Sequence, residues 1–286
     1  MGEAWFMGEE REVFPALMGD LTALKVEEVF KPLEEIASGT MSFGPAKEWR
    51  DWYHFLLPRL IPRANESYVY SLAEMLVTAF LAQHPNGAFD QHYKGFRADV
   101  LNTLGRTLME PACWNGEALD VKKGLGKFYR RGVQDWGWYE AGGKFSSLLF
   151  LCAKYLRPSE SLAWIQSVLD IRDRYWRAQI MVWLVGVNPL LSGSITQINE
   201  LDDLPPELGW NWSHALSGQQ GDSFEGAAPL MPFFDATQRE ALSRSIEQYF
   251  SDHDFFEWSA DFSRDQTLVS ELGDLPDRFR DLYIAP

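Results

Sequence analysis

Apolar side chains recur at steps of three and four residues along most of this chain, which is the spacing of one face of an α-helix. In the first 110 residues this pattern predicts four helices, over residues 20–38, 45–60, 65–84 and 90–110. The connections between them are short, which favours antiparallel neighbours. Pro32 lies inside the first segment, and we expect it to kink or split that helix.

Three more helices are predicted in the middle of the chain, over residues 144–156, 158–169 and 172–187. Asp235 and Gln238 have the spacing of a capping box, which predicts a helix that ends at Phe250. The acidic stretch after Phe250 predicts one or two further short helices. Most aromatic side chains fall at helical spacing, so we assign them to the core and not to a binding cage.

Strand signals are scarce, because no Asn-Gly or Asp-Gly pair joins two alternating runs. We therefore predict an all-α fold of about ten to twelve helices. Two architectures agree with the pattern: stacked antiparallel helix pairs in an irregular, solenoid-like order, or a large globular helical bundle. The distribution of turn residues predicts three parts: a helical body (1–192), a turn-rich connection (193–234) and an acidic, aromatic C-terminal helical segment packed on the body (235–286).

The net charge of −15 is concentrated in the last third of the chain. Residues 200–286 contain 18 acidic residues, 5 arginines and no lysine, a net charge of −13, whereas the first 199 residues carry −2. Nucleic acids and anionic membranes both need cationic contacts, so we predict neither as a partner. A basic protein would be attracted by this charge and would encounter it faster.

The cysteine content and the apolar runs bear on the compartment. Cys113 and Cys152 are too few for a disulfide framework. The first residues carry acids where a signal peptide has bases, and the apolar runs are far shorter than the ~20 residues that span a bilayer. We predict a protein of the reducing cytoplasm.

Few residues indicate catalytic or metal chemistry. His84, Asp90 and His92 lie close together in sequence and are metal-ligand types, but their spacing fits no standard zinc pattern. We expect two unrelated histidines in a surface loop. The chain has no nucleophile elbow, phosphate-binding loop or dinucleotide fingerprint. We accordingly predict no metal ion and no cofactor.

The combination of carboxylates and aromatic rings near the C-terminal end favours a non-catalytic protein-binding function. Aromatic side chains supply buried anchors in protein interfaces, and carboxylates steer and pair with Lys and Arg. The partner would be a basic protein, and an immunity- or antitoxin-like neutraliser of a toxic effector is one such case. The predicted partner-binding residues are Asp252, Asp254, Glu257, Trp258, Asp261, Asp265, Asp202, Asp203, Trp210 and Trp212.

Two alternatives remain open at this level. Trp258 and Phe262 are four residues apart, so they would equally well dock a last helix onto the core with its acids outward. The other alternative is a helical hydrolase whose pocket is built from the central aromatic residues and a few acids, namely Asp135, Glu140, Asp170 and Asp173.

Overall fold

The computed structural model describes most of the chain. The described residues are 3–6, 9–12, 17, 19–38, 46–64, 66, 72–85, 93–105, 114–115, 118–119, 129–131, 135–137, 141–170, 172, 174–206, 208, 210, 216 and 231–284. In this part of the chain eleven α-helices form the architecture, which confirms the prediction of an all-α fold.

The contacts between residues divide the chain into two compact units. Unit 1 comprises Met1–Thr107 and Trp210–Met231, and unit 2 comprises Leu108–Gly209 and Pro232–Pro286. The three-part division inferred from the sequence stays a prediction. The 193–234 segment is shared between the units, and the C-terminal helices belong to unit 2 together with the middle of the chain.

The helices of unit 1 are α1 (Val26–Ser38), α2 (Ala46–Leu60), α3 (Leu72–Gln83) and α4 (Phe96–Thr103). A 3₁₀ turn at Ile61–Arg63 continues α2. The strands β1 (Glu3–Phe6) and β2 (Glu9–Glu12) pair antiparallel, with Trp5 opposite Glu10.

The helices of unit 2 are α5 (Ala141–Tyr155), α6 (Ser161–Leu169), α7 (Arg174–Ser192), α8 (Ala236–Tyr249), α9 (Asp252–Ser263), α10 (Gln266–Leu272) and α11 (Leu275–Tyr283). Two 3₁₀ turns occur at Pro158–Glu160 and Ile198–Leu201. Two short antiparallel strand pairs, β3 (Trp114–Asn115) with β4 (Ala118–Leu119) and β5 (Tyr129–Arg131) with β6 (Asp135–Gly137), complete the elements.

Helix α3 is the centre of unit 1. All twelve of its residues are buried, and α1 and α2 pack against it. A helix that is apolar nearly all round is stable only inside a core. Tyr53 Oη donates a hydrogen bond to the Leu76 carbonyl oxygen at 2.8 Å, and Gln83 Nε2 donates to the Ile36 carbonyl oxygen at 3.1 Å. These bonds connect α3 to both neighbours.

Helix α7 is the central, largely buried helix of unit 2. Every residue from 176 to 187 is buried, and α8, α9 and α11 pack against the helix. Gly186 allows the Leu208 side chain to approach the α7 backbone, because a Cβ atom at this position would overlap Leu208. Gly193 ends the helix with a φ of 79°, the left-handed conformation that glycine adopts without steric cost. Each unit thus has one largely buried helix against which several other helices pack.

The elements differ from the sequence-based expectation at several places. Pro32 lies inside α1, and the helix continues through it. The helix begins at Val26 and not after Asp20, whose side chain accepts a hydrogen bond from Thr22 N in a preceding turn. The structure places α4 over Phe96–Thr103, and the outer parts of the predicted 90–110 segment lie outside the described residues. The strand pairs were not predicted.

The aromatic residue at the junction of α8, α9 and α11 provides a test of this packing. Phe279 is fully buried, and its ring centroid lies 4.7 Å from that of Phe250 and 6.1 Å from that of Phe255. We expect Phe279→Ala to lower the free energy of unfolding by about 3–5 kcal/mol, because it removes buried area and leaves a cavity.

The matched control for that substitution is Leu282→Ala on the same helix, where the side chain is 42% exposed. Its expected cost is below about 1 kcal/mol. Urea denaturation followed by circular dichroism measures both values. Equal effects of the two substitutions would contradict the position assigned to Phe279.

Candidate functional site

The predicted partner-binding residues are concentrated on α9, which begins with a capping box. Ser251 Oγ accepts a hydrogen bond from Asp254 N at 3.3 Å, and Asp254 Oδ2 accepts hydrogen bonds from Ser251 N at 3.3 Å and from Ser251 Oγ at 2.5 Å. This arrangement satisfies backbone donors that have no partner within the first helical turn. The Asp254 carboxylate therefore has a structural use at the start of the helix.

Three aromatic residues of α9 point into unit 2. Phe255, Trp258 and Phe262 are spaced by three and four residues and are all buried. The Trp258 ring lies edge-on to Phe250 at 5.2 Å between centroids, and Phe255 stacks with Phe279 of α11. Trp258, which is 3% exposed, is thus part of the core of unit 2. This placement agrees with the docking alternative that the sequence left open.

A buried arginine on α7 forms ion pairs with two carboxylates of α9. Arg177 is 9% exposed, and its Nη1 donates to Glu257 Oε1 at 3.1 Å and to Asp261 Oδ2 at 2.5 Å. The other oxygen of Asp261 accepts a hydrogen bond from Arg264 Nη1 at 2.8 Å. The Arg177 guanidinium also lies 5.3 Å from the centroid of the Trp258 ring, within cation–π range. These acids pair with arginines of the chain itself.

The remaining predicted residues are in different positions. Asp265 Oδ2 lies 3.8 Å from Nη1 of Arg174 on α7. Asp202 and Asp203 are exposed on the turn that follows the Ile198–Leu201 element, and Arg278 Nη2 of α11 donates to the Pro205 carbonyl oxygen at 2.7 Å, which places α11 beside this turn.

Trp210 belongs to unit 1, where it is buried and its Nε1 donates a hydrogen bond to Thr78 Oγ1 of α3 at 3.0 Å. Trp212 lies outside the described residues, as does the side chain of Asp252, the first residue of α9. The partner-binding role of all ten residues stays a prediction.

The exposed aromatic residue of α9 is Phe256, which is 67% exposed. It lies on the face opposite to the buried stripe and is followed directly by Glu257. It was absent from the predicted binding residues. Its position was readable from the sequence, since a stripe at 255, 258 and 262 leaves 256 on the outer side of the helix.

Of the four acids of the enzymatic alternative, only Asp170 has a described side chain, so this alternative stays a prediction. Asp170 is exposed at the C-terminal end of α6, while Glu140, Asp173 and the side chain of Asp135 lie outside the described residues. Among the described side chains, no three or more potential metal ligands form a group. Burial raises the pKa of the Cys152 thiol to about 12, so this cysteine is protonated at neutral pH.

Lys154 is a half-buried cation on α5. Its Nζ donates to the Phe233 carbonyl oxygen at 2.7 Å and lies 4.3 Å from the centroid of the Phe233 ring. Burial lowers the pKa of Lys154 to about 8, and the nearby charge of Asp235 acts in the opposite direction. The ammonium form is therefore less favourable in the folded state than in the unfolded chain.

The fold defines an all-α protein in which, among the described residues, no helix has both the length and the apolar character needed to cross a membrane. Comparisons with protein-family models, curated proteins and solved structures give no match to this chain.

The Arg177 network yields a stability prediction. We expect Arg177→Leu to lower the free energy of unfolding by about 1–3 kcal/mol, because it removes the cation beside the half-buried Asp261 carboxylate. The control is Arg244→Leu, which removes an ion pair with Glu240 on the surface of α8 and should cost at most about 0.5 kcal/mol. Chemical denaturation of both variants gives the two values. An effect of Arg177→Leu as small as that of the control would show that the network contributes little.

The lowered pKa of Lys154 yields a pH prediction. Between about pH 8 and the usual lysine pKa near 10.5, the unfolded chain binds a proton at this site that the folded protein has released. Lys154 therefore destabilises the fold most below pH 8, and wild type should gain stability relative to Lys154→Met by up to about 3 kcal/mol as the pH rises through this interval. Denaturation of both proteins at pH 7 and pH 10 measures the difference. If the difference in free energy of unfolding between the two proteins does not change with pH, this prediction is wrong.

Proposed function

We propose that this chain is a cytoplasmic protein-binding protein, which captures a basic partner through the outer side of the C-terminal helices of unit 2. The observation that carries the proposal is the exposure of Phe256 on an acidic helix whose other three aromatic residues are buried. An exposed ring surrounded by charged side chains has the composition of an interface anchor with a polar rim.

Exposed acids are available on the neighbouring helices. Glu247 on α8, Asp274 before α11, and Asp277 and Asp281 on α11 are all exposed, and the last two pair only with Arg280 of the same helix among the described residues. Ion pairs between such exposed groups are weak and exchange readily with those of a partner. These acids would steer a cationic protein towards unit 2.

Glu257 and Asp261 have a different role in this proposal. Both pair with Arg177, and Asp261 also pairs with Arg264, so these ion pairs position α9 and present Phe256. A partner that took these carboxylates would leave a buried arginine without its counter-charge, which is costly. The anchor is therefore Phe256, and the steering charges are the exposed acids of α8 and α11. A neutraliser of a basic toxic effector would be one protein of this kind.

The test is a pull-down from the native host with the full chain as bait, followed by affinity measurement with the captured protein. We expect Phe256→Ser to weaken binding by roughly 30-fold or more, the effect of losing an interface hot spot. Leu162→Ser is the matched control, because Leu162 is an exposed apolar residue on α6 and its replacement should leave the affinity unchanged.

The affinity should also fall between 50 and 500 mM salt, roughly the range over which surface charges become screened. Circular dichroism of each variant verifies its fold. The proposal fails if Phe256→Ser binds as tightly as wild type, if the affinity does not depend on salt, or if the captured protein is acidic.

A further inference from the structure

Two histidines of unit 1 face each other through the same ring nitrogen. His54 lies on α2 and His84 follows the last residue of α3, and their Nε2 atoms are 3.2 Å apart. His84 is 4% exposed, and its backbone N donates to the Phe80 carbonyl oxygen at 3.0 Å, which continues the helical hydrogen-bond pattern of α3. His84 is therefore not in a surface loop, contrary to the expectation from the sequence.

Aromatic rings fix the orientation of both imidazoles. The His84 ring lies 4.7 Å from the Phe80 ring and the His54 ring lies 5.4 Å from the Phe96 ring, measured between centroids. Side chains packed in this way have few alternative rotamers, so the two Nε2 atoms are held towards one point. Such preorganisation is what a ligand site on rigid helices requires.

The separation of the two nitrogen atoms suits a shared metal ion. With metal–nitrogen distances of about 2.0–2.1 Å, two nitrogens 3.2 Å apart subtend an angle of roughly 100° at the metal, close to the tetrahedral value. Neutral imidazole is a preferred ligand of Zn²⁺ and of related divalent transition metals. The same separation also suits a hydrogen bond, in which one nitrogen carries a proton and the other accepts it. Metal binding and this hydrogen bond therefore compete for the two nitrogens.

We propose that His54 and His84 are two ligands of a divalent transition-metal site, of which Zn²⁺ is the representative ion, and that this site cross-links α2 to α3 in unit 1. No third ligand joins the pair within the described residues. Asp90 and His92, the nearest further ligand types after His84 in sequence, lie outside them.

The test uses the full chain after removal of metal with a chelator. Isothermal titration calorimetry with Zn²⁺ at pH 7.5 should show one ion bound per chain in wild type. His54→Gln and His84→Gln, which keep a hydrogen-bonding side chain but remove an imidazole, should weaken binding at least tenfold. His253→Gln is the matched control, because His253 is exposed on α9 of unit 2 and its replacement should leave the affinity unchanged.

A measurement on the wild-type protein keeps the proposal testable if a variant fails to fold. In long-range ¹H–¹⁵N spectra, Zn²⁺ should shift the Nε2 resonances of His54 and His84 and leave those of His253 in place. The proposal is overturned if wild type binds no Zn²⁺, if these resonances do not shift, or if folded His54→Gln and His84→Gln bind Zn²⁺ as tightly as wild type. The pair would then be only a hydrogen bond between two helices.

Discussion

Helices α3 and α7 are buried on nearly all sides, and this is the constraint on which the rest of the structure depends. Neither can be exposed to water at low cost, because burial of apolar area supplies about 25 cal/mol per Å². Each therefore needs a shell of other helices: α1 and α2 around α3, and α8, α9 and α11 around α7. The surrounding helices need only one apolar stripe each, which leaves their outer faces free to carry charge. The acidity of the C-terminal helices is compatible with the fold for this reason.

The polar residues of the two central helices determine where distant parts of the chain attach. Thr78 of α3 accepts the hydrogen bond of Trp210, and Arg177 of α7 pairs with Glu257 and Asp261. A buried polar group without a partner costs free energy, so these two residues favour an arrangement in which their partners are present. Apolar contacts are non-directional and would tolerate a small rotation of α9 about its axis. The hydrogen bonds from Arg177 to the two carboxylates depend on direction and fix the orientation of α9 more closely.

Local patterns in the sequence predicted most of the helices but not their surroundings. Spacing of three and four residues located α2, α5, α6 and α8 to within a few residues, and the Asp235–Gln238 capping box begins α8 as expected. The same spacing assigned one buried face to α3, whereas the helix is enclosed on all sides.

The apolar composition of α3 indicates that the helix is enclosed, but it does not identify the helices that enclose it. The pairing of Arg177 with α9, and of His54 with His84, likewise depends on contacts between helices far apart in sequence. Phe256 is the opposite case, since the helical period alone places it on the outer side.

The structure also changes what the regional charge means for recognition. A carboxylate already bound to a buried arginine contributes little to the field around the protein, because its charge is compensated within a few ångströms. Glu257 and Asp261 are of this kind, so the density of acids on α9 overstates the charge that a partner would meet there. The uncompensated charge lies on residues whose replacement would not disturb the core, such as Asp274. Under the proposed function, recognition and folding would use different acids of the same segment. A substitution meant to separate the two has to be chosen by what each carboxylate contacts and not by its place in the sequence.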